Sequence, residues 1–206
     1  MAAKFITLDG IDGAGKTTQL NVIQEWFTAQ QLPVVFTREP GSTPLGEQLR
    51  EIVLNPASKM TPKAETLLMF TARQQHLDDV VFPNLNKGIN VVCDRFTDAT
   101  FAYQGGGRGL PYAQIAALEQ WVQGDFQPDF TLILDVPLEV ALQRIERSRE
   151  KDRFEQEPAE FYRAVRETYL QRAASQPQRY AVLNSNREKE VVRQDIFNLL
   201  NQLFER

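Results

Sequence analysis

Eight consecutive residues near the start of the chain, Gly10-Ile11-Asp12-Gly13-Ala14-Gly15-Lys16-Thr17, match G-x-x-x-x-G-K-[ST] in full. In such a loop successive backbone N–H groups converge on phosphate oxygens, and the helix that follows adds its dipole. Gly10, Gly13 and Gly15 permit a backbone approach that a side chain would block. Lys16 is placed to bridge β- and γ-phosphates, and the Thr17 hydroxyl is a ligand type for Mg²⁺. These residues, extended by Thr18, imply binding of a nucleoside triphosphate. A guanine-reading Asn-Lys-x-Asp motif is not matched: the nearest stretch, Asn86-Lys87-Gly88-Ile89, ends on isoleucine. A kinase therefore ranks above a GTPase switch.

A kinase needs a second site that holds an acceptor in line with the γ-phosphate. A hydroxyl acceptor calls for a carboxylate base, whereas a phosphate acceptor is already ionised and calls for cations that offset anion–anion repulsion. Sixteen of the 23 basic residues are arginine, whose planar fork suits phosphate oxygens. Arg38 follows one predicted strand, Arg73 lies on a predicted helix and Arg95 directly follows another strand. Ligands of open α/β sheets bind at that carboxyl edge, so the pattern favours a phosphate acceptor.

The elements that must position these residues alternate regularly. Strands are predicted at 4–9, 33–37, 89–94, 130–136 and 179–183, the third apolar throughout as a doubly covered parallel strand requires. Helices are predicted at 17–30, 44–54, 61–82, 111–123, 137–147, 159–174 and 188–204. Thr61 followed by Pro62 is a cap and first-turn pair. The Gly-rich run Gly105-Gly106-Gly107-Arg108-Gly109 is expected to separate two helical stretches, and 148–158 lacks periodicity and reads as a mobile loop. Strand–helix alternation with short links predicts one α/β domain over 1–206, three-layered, with a five-stranded parallel sheet flanked by helices.

Bulk properties narrow the classes further. No apolar run approaches the ~18 residues of a membrane span, and the N-terminus has no signal-peptide pattern. A net charge of −4 argues against a non-specific nucleic-acid binder. The single histidine, His76, excludes multi-histidine metal sites. Cys93 stands alone in an apolar run, is expected to be a buried strand thiol, and fits a reducing cytoplasm.

Several segments together resemble bacterial thymidylate kinases. They are Phe5-Ile6-Thr7-Leu8-Asp9-Gly10 continuing through Thr18, Thr37-Arg38-Glu39-Pro40-Gly41, Cys93-Asp94-Arg95-Phe96 and Ala102-Tyr103-Gln104-Gly105-Gly106-Gly107-Arg108-Gly109. Residues 129–135 and Asp152-Arg153-Phe154-Glu155-Gln156 extend the likeness over nearly the whole chain. The resemblance implies a P-loop nucleoside-monophosphate-kinase fold, transfer of the ATP γ-phosphate to dTMP with Mg²⁺, and a homodimer. The apolar faces of the 61–82 and 111–123 helices are candidates for the dimer contact, though core burial explains them equally well.

Roles are implied residue by residue. Asp12 resembles the carboxylate that binds the dTMP 3′-hydroxyl. Arg38 and Arg95 resemble clamps on the acceptor phosphate, Arg95 reaching the transferred group, with Arg50 as a further clamp. Asp94 has the position that holds Mg²⁺ through water; Asp135, ending its own apolar strand, is the rival. Arg73 resembles the donor to the thymine carbonyl. The aromatic that stacks on thymine falls on Phe70, at i−3 from Arg73, with Met69 at i−4. Thr100 and Gln104 match positions at the pyrimidine edge, and Tyr103 matches the aromatic that crowds C2′.

Arg144, Arg147, Arg149, Lys151 and Arg153 crowd five basic residues into ten, interleaved with acids. Beside a phosphate loop such a run reads as an ATP-covering lid over about 144–158, which excludes water from the reaction. Gly13 stands where one branch of the resembled family has a basic residue. This implies the other branch, whose catalytic arginine comes from the lid. Arg147 and Arg149 share that assignment, Arg149 being the further into the loop. The catalytic set is thus Lys16, Arg95, Arg149, Arg147 and Asp12.

Overall fold

A computed structural model of the chain describes residues 2–147 and 151–205. The strands are β1 Phe5–Asp9, β2 Val34–Arg38, β3 Asn90–Asp94, β4 Phe130–Asp135 and β5 Tyr180–Asn184. All pair in parallel in the order β2-β3-β1-β4-β5. β1 is central and buried at every position, because helices cover both faces. Its one polar inward pair is satisfied internally, Thr7 Oγ1 and Thr131 Oγ1 lying 2.8 Å apart. The register sets Leu8 opposite both Asp94 and Leu132. The carboxyl ends of β1, β3 and β4 therefore line up along one edge, where the chain order turns back on itself.

The helices are α1 Lys16–Ala29, α2 Pro44–Leu54, α3 Pro62–His76, α4 Phe82–Asn86, α5 Thr97–Thr100, α6 Tyr112–Gln123, α7 Leu138–Glu146, α8 Ala159–Ser175 and α9 Lys189–Phe204. Caps follow the sequence. Thr43 accepts from the Gly46 N–H at 2.9 Å and Thr61 from the Ala64 N–H at 3.3 Å, each before a proline in the first turn. The main core joins β1, β4, α1, α7, α8 and α9 around Trp26, Phe27, Tyr162 and Tyr169.

Two segments differ from the sequence-based expectation. The 61–82 helix does not stop: α3 passes through a π-helical turn at Leu77–Val81 into α4. Pro83 has no N–H to give to an i−4 carbonyl, and widening the preceding turn accommodates that loss. Likewise the Gly-rich run is no spacer between helices. Phe101–Gly107 is itself a π-helical segment, continuous with α5. Glycine is needed there for close approach: a Cβ on Gly106 would overlap Thr168 Oγ1, and one on Gly107 would overlap the Phe161 ring, both on α8. Among the described residues no helix is long and apolar enough to cross a membrane.

Candidate active site

The phosphate loop joins β1 to α1 at the carboxyl edge. Gly15 caps α1 in a left-handed conformation with φ 90°. Gly13 has φ 77°, and a side chain there would meet the Ala141 carbonyl of α7 at 2.5 Å. α7 also supplies Arg144, whose Nη1 donates to the Gly13 carbonyl at 2.8 Å. Lys16 Nζ donates to the Gly10 and Ile11 carbonyls at 3.4 and 3.3 Å and lies 3.8 Å from Asp12. Burial, reinforced by nearby Arg95, lowers the Lys16 pKa. Thr17 and Thr18 are exposed at the mouth of the loop.

Beside the loop is a recess of about 610 Å³ including its open mouth. Its charged lining residues are Asp12, Glu39, Arg50, Arg73, Arg95 and Asp152, and Met69, Phe96, Ala99, Thr100, Tyr103, Gln104 and Phe154 line it with them. These side chains come from the loops after β1, β2 and β3, from α2, α3, α5 and the π segment, and from the 151–157 stretch, so long-range packing assembles the recess.

Arg95 is its hub. The residue adopts φ 69°, a left-handed conformation that a non-glycine residue takes only under constraint. Its Nη1 donates to the Gly10 carbonyl at 2.9 Å and to Tyr169 Oη at 3.1 Å. Its Nη2 reaches Asp12 Oδ1 at 2.5 Å and Tyr103 Oη at 2.9 Å. Tyr103 in turn donates to Asp12 Oδ2 at 2.8 Å. Burial opposes the Asp12 charge, but Arg95 and Lys16 outweigh it and hold the carboxyl below its usual range. Arg95, Tyr103 and the phosphate loop are thus one hydrogen-bonded unit.

Arg73 is also buried. Its Nε donates to Glu39 Oε2 at 2.8 Å and its Nη2 to Thr100 Oγ1 at 3.1 Å, while Nη1 is buried without a partner. Behind it Glu39 Oε1 meets His76 Nδ1 at 2.8 Å, and His76 Nε2 meets Thr37 Oγ1 at 2.7 Å. The lone histidine thus sits in a buried relay that holds the carboxylate orienting Arg73. Glu39 and His76 lie in segments whose sequence signal was read only as a turn and a helix.

Most of the predicted acceptor residues converge: Asp12, Arg50, Arg73, Arg95, Thr100, Tyr103 and Gln104 all line the recess. Phe70 does not. It is turned into the core against Phe101 and Ile115, and Met69 lines the recess instead. Helical phase decides this, since i−3 and i−4 from Arg73 point to opposite sides of the Arg73 direction. Arg38 also stands apart, half exposed and in a two-pronged pair with Glu47 at 3.0 and 2.9 Å. Arg50 is anchored to the Pro40 carbonyl at 2.9 Å.

The expected mobile loop is ordered in its second half. Asp152 Oδ1 accepts from the Phe154 and Glu155 N–H groups at 2.8 and 2.9 Å. Arg153 N and Nε donate to the carbonyls of Leu54 and Val53 at 2.9 and 2.7 Å. Phe154 is buried against Tyr103 at a centroid distance of 5.6 Å. Lack of periodicity here reflects side-chain docking rather than disorder. Arg147 is exposed at the end of α7; Arg149 lies outside the described residues.

The two strand-end aspartates are not equivalent. Asp135 is engaged by Arg166 through both carboxylate oxygens at 2.6 and 2.8 Å. Asp94 Oδ1 is buried with no partner. A third acid, Asp9, escaped sequence reading because it resembles any buried strand end. Burial, aided by Asp98, pushes its pKa from 3.8 to about 7, although Tyr169 donates to Oδ1 at 3.0 Å. Cys93 is fully buried as expected, its Sγ 3.0 Å from the Arg95 carbonyl.

A phosphate loop facing an arginine-lined recess across the switch point of a five-stranded parallel sheet defines a P-loop phosphotransferase with a separate acceptor site. The family model described as Thymidylate kinase matches residues 8–196. A thymidylate kinase of Neisseria gonorrhoeae is 61% identical over 204 residues, covering 99% of each chain. One from Chromobacterium violaceum is 51% identical over 203 residues, covering 98% of this chain and 96% of the relative. The crystal structure of thymidylate kinase from Ehrlichia chaffeensis superposes with TM-score 0.80 at 32% identity, covering 98% and 100% of the two chains. The chain belongs to the thymidylate kinase family.

Proposed function

We propose that the protein transfers the γ-phosphoryl group of ATP to the 5′-phosphate of dTMP, yielding dTDP on the route to dTTP. The observation that carries this reading is the recess itself. It joins Arg95, bonded to the phosphate loop, with an unpartnered donor on buried Arg73. An acceptor phosphate at Arg95 and Arg50 lies next to the donor loop, while a base carbonyl meets Arg73 Nη1. Asp12 accepts from the 3′-hydroxyl, and Tyr103 closes the space beside the sugar. A phosphate acceptor is already a nucleophile, so these residues orient, neutralise charge and exclude water rather than take a proton.

Mg²⁺ belongs to this reading. The buried Asp94 Oδ1 has no partner and the Thr17 hydroxyl is accessible at the loop mouth, so the residues fit an ion held by few protein oxygens together with phosphates and water. When bound, the ion neutralises charge on the β- and γ-oxygens.

The lid spans about 144–158. Its C-terminal half, docked over the recess, closes the acceptor side, and Arg147 and Arg149 supply the donor-side arginine. Arg38 joins the acceptor phosphate by leaving Glu47. A cytoplasmic homodimer completes the reading. Trp121 of α6 is 82% exposed beside exposed Leu45 of α2 and Leu67 of α3, and burying such a cluster against a second copy removes it from water. Sedimentation of a Trp121→Glu variant is expected to show monomer; an unchanged dimer places the contact elsewhere.

The test of activity is a coupled assay across dTMP, dUMP, dCMP, AMP and thymidine with ATP and Mg²⁺. Strong preference for dTMP is expected, and equal rates across the panel overturn the assignment.

A further inference from the structure

Glu65 lies in the first turn of α3, where an acidic residue favours the helix dipole and ordinarily faces solvent. Here it is 1% exposed. Its Oε1 accepts from Gln104 Nε2 at 2.6 Å. Its Oε2 lies 2.7 Å from Arg153 Nη2 and 3.5 Å from Arg108 Nε. Arg108 is itself paired with Glu157 at 2.5 Å. The Arg153 contact is an ion pair rather than an aligned hydrogen bond, since that N–H group has no hydrogen-bond partner. One buried carboxylate therefore joins the π segment, α3 and the docked half of the lid.

This arrangement fixes which end of the Gln104 amide faces the recess. A carboxylate flanked by two guanidiniums accepts and does not donate. Only the NH₂ end of Gln104 satisfies it, so the amide oxygen is left as the group available to a ligand. Gln104 lines the same recess as Arg73, whose Nη1 is an unpartnered donor. The recess thus offers one acceptor and one donor. Its complement is a ring edge with an N–H beside a C=O, the edge of thymine and uracil. Cytosine presents a bare ring nitrogen and an amino group, placing acceptor against acceptor and donor against donor.

We infer that Glu65 is the positioning residue that sets the donor–acceptor polarity of the base pocket, by holding the Gln104 amide in one orientation. Arg153 and Arg108 hold the carboxylate in place, so the lid and base reading share one anchor. The inference rests on the proposed function, because it takes the recess as the base site.

Glu65→Gln is near-isosteric and can either donate or accept, which frees Gln104 to turn its NH₂ to the ligand. The kcat/KM ratio of dTMP to dCMP is expected to fall about tenfold or more, mainly through KM, as one mismatched hydrogen bond is relieved. The dTMP to dUMP ratio stays unchanged, because those bases share the edge being read. General loosening lowers all three substrates together and leaves both ratios alone. If Glu65→Gln does not fold, Glu65→Asp keeps the charge for the arginines while withdrawing it from Gln104, and a smaller fall in the same ratio is expected. A folded variant with an unchanged dTMP to dCMP ratio overturns the role of Glu65. A wild-type protein that does not favour dTMP over dCMP overturns instead the reading of the recess on which the inference stands.

Discussion

The donor loop and the acceptor recess solve the same problem, holding an anion, in opposite ways. The loop is contiguous and uses backbone N–H groups, with Lys16 as its single inward cation. The recess draws on eight segments and holds its charges as pre-paired side chains, Arg73 on Glu39 and Arg95 on Asp12, with Glu65 between Arg153 and Arg108 behind them. Backbone recognition is indifferent to the nucleotide beyond its phosphates. Side-chain recognition discriminates, but each buried charge needs a partner, and removing one partner leaves the other stranded at about 3–5 kcal/mol. Generality is compact here, and selectivity is distributed.

The largest test of that contrast is Arg95, which belongs to both regions. Arg95→Met is expected to lower turnover about 10³-fold, because charge on the transferred group loses its clamp. ATP affinity, read by fluorescence titration, should hardly move. Near-normal turnover removes Arg95 from the mechanism.

Next in size is a pair of substitutions, one per region. Arg73→Met should reduce kcat/KM for dTMP about 10²-fold and destabilise the fold by a few kcal/mol, since Glu39 is left buried beside His76. Arg144→Met, on the loop side, should raise KM for ATP by about tenfold or less without altering dTMP binding. Reversed substrate dependence would dissolve the division between the regions.

The base wall gives a smaller effect. Met69→Ala should raise KM for dTMP several-fold, whereas Phe70→Leu should cost about 1 kcal/mol in chemical denaturation with KM unchanged. A KM effect confined to Phe70 returns that residue to the recess.

A last effect concerns Asp9, between the regions, and is read as a difference between two pH values. Its folded pKa of about 7 exceeds the unfolded value of 3.8, so the native state keeps a proton that the unfolded chain releases. Stability from this group is present below about pH 4 and declines as pH rises towards 7. Asp9→Asn should therefore gain about 2–3 kcal/mol more at pH 8 than at pH 5. An equal change at both pH values contradicts a raised pKa.

Strand positions and caps were legible because burial and periodicity are local signals. The two π-helical segments were not, since a wide turn depends on what packs against it, as α8 packs on Gly106 and Gly107. Residue by residue, the lining of the recess was legible where a strand end or a charged type pointed to it, as for Arg95 and Arg73. It failed at Phe70, where one residue of helical phase separates recess from core. It was silent at Glu65 and His76, whose types suit a helix surface as readily as a buried relay.

The sequence by itself determined a phosphate loop, a parallel α/β sheet and an arginine-rich acceptor edge, because each follows from contiguous residues obeying short-range steric and periodic rules. Only the tertiary structure decided that Met69 rather than Phe70 meets the recess, that Arg38 is held by Glu47, and that the 151–157 stretch docks. It also decided that the amide nitrogen of Gln104 is the end that meets Glu65. Those outcomes depend on which distant partner satisfies each buried polar atom, and satisfaction is a property of the packed interior rather than of any local stretch of chain.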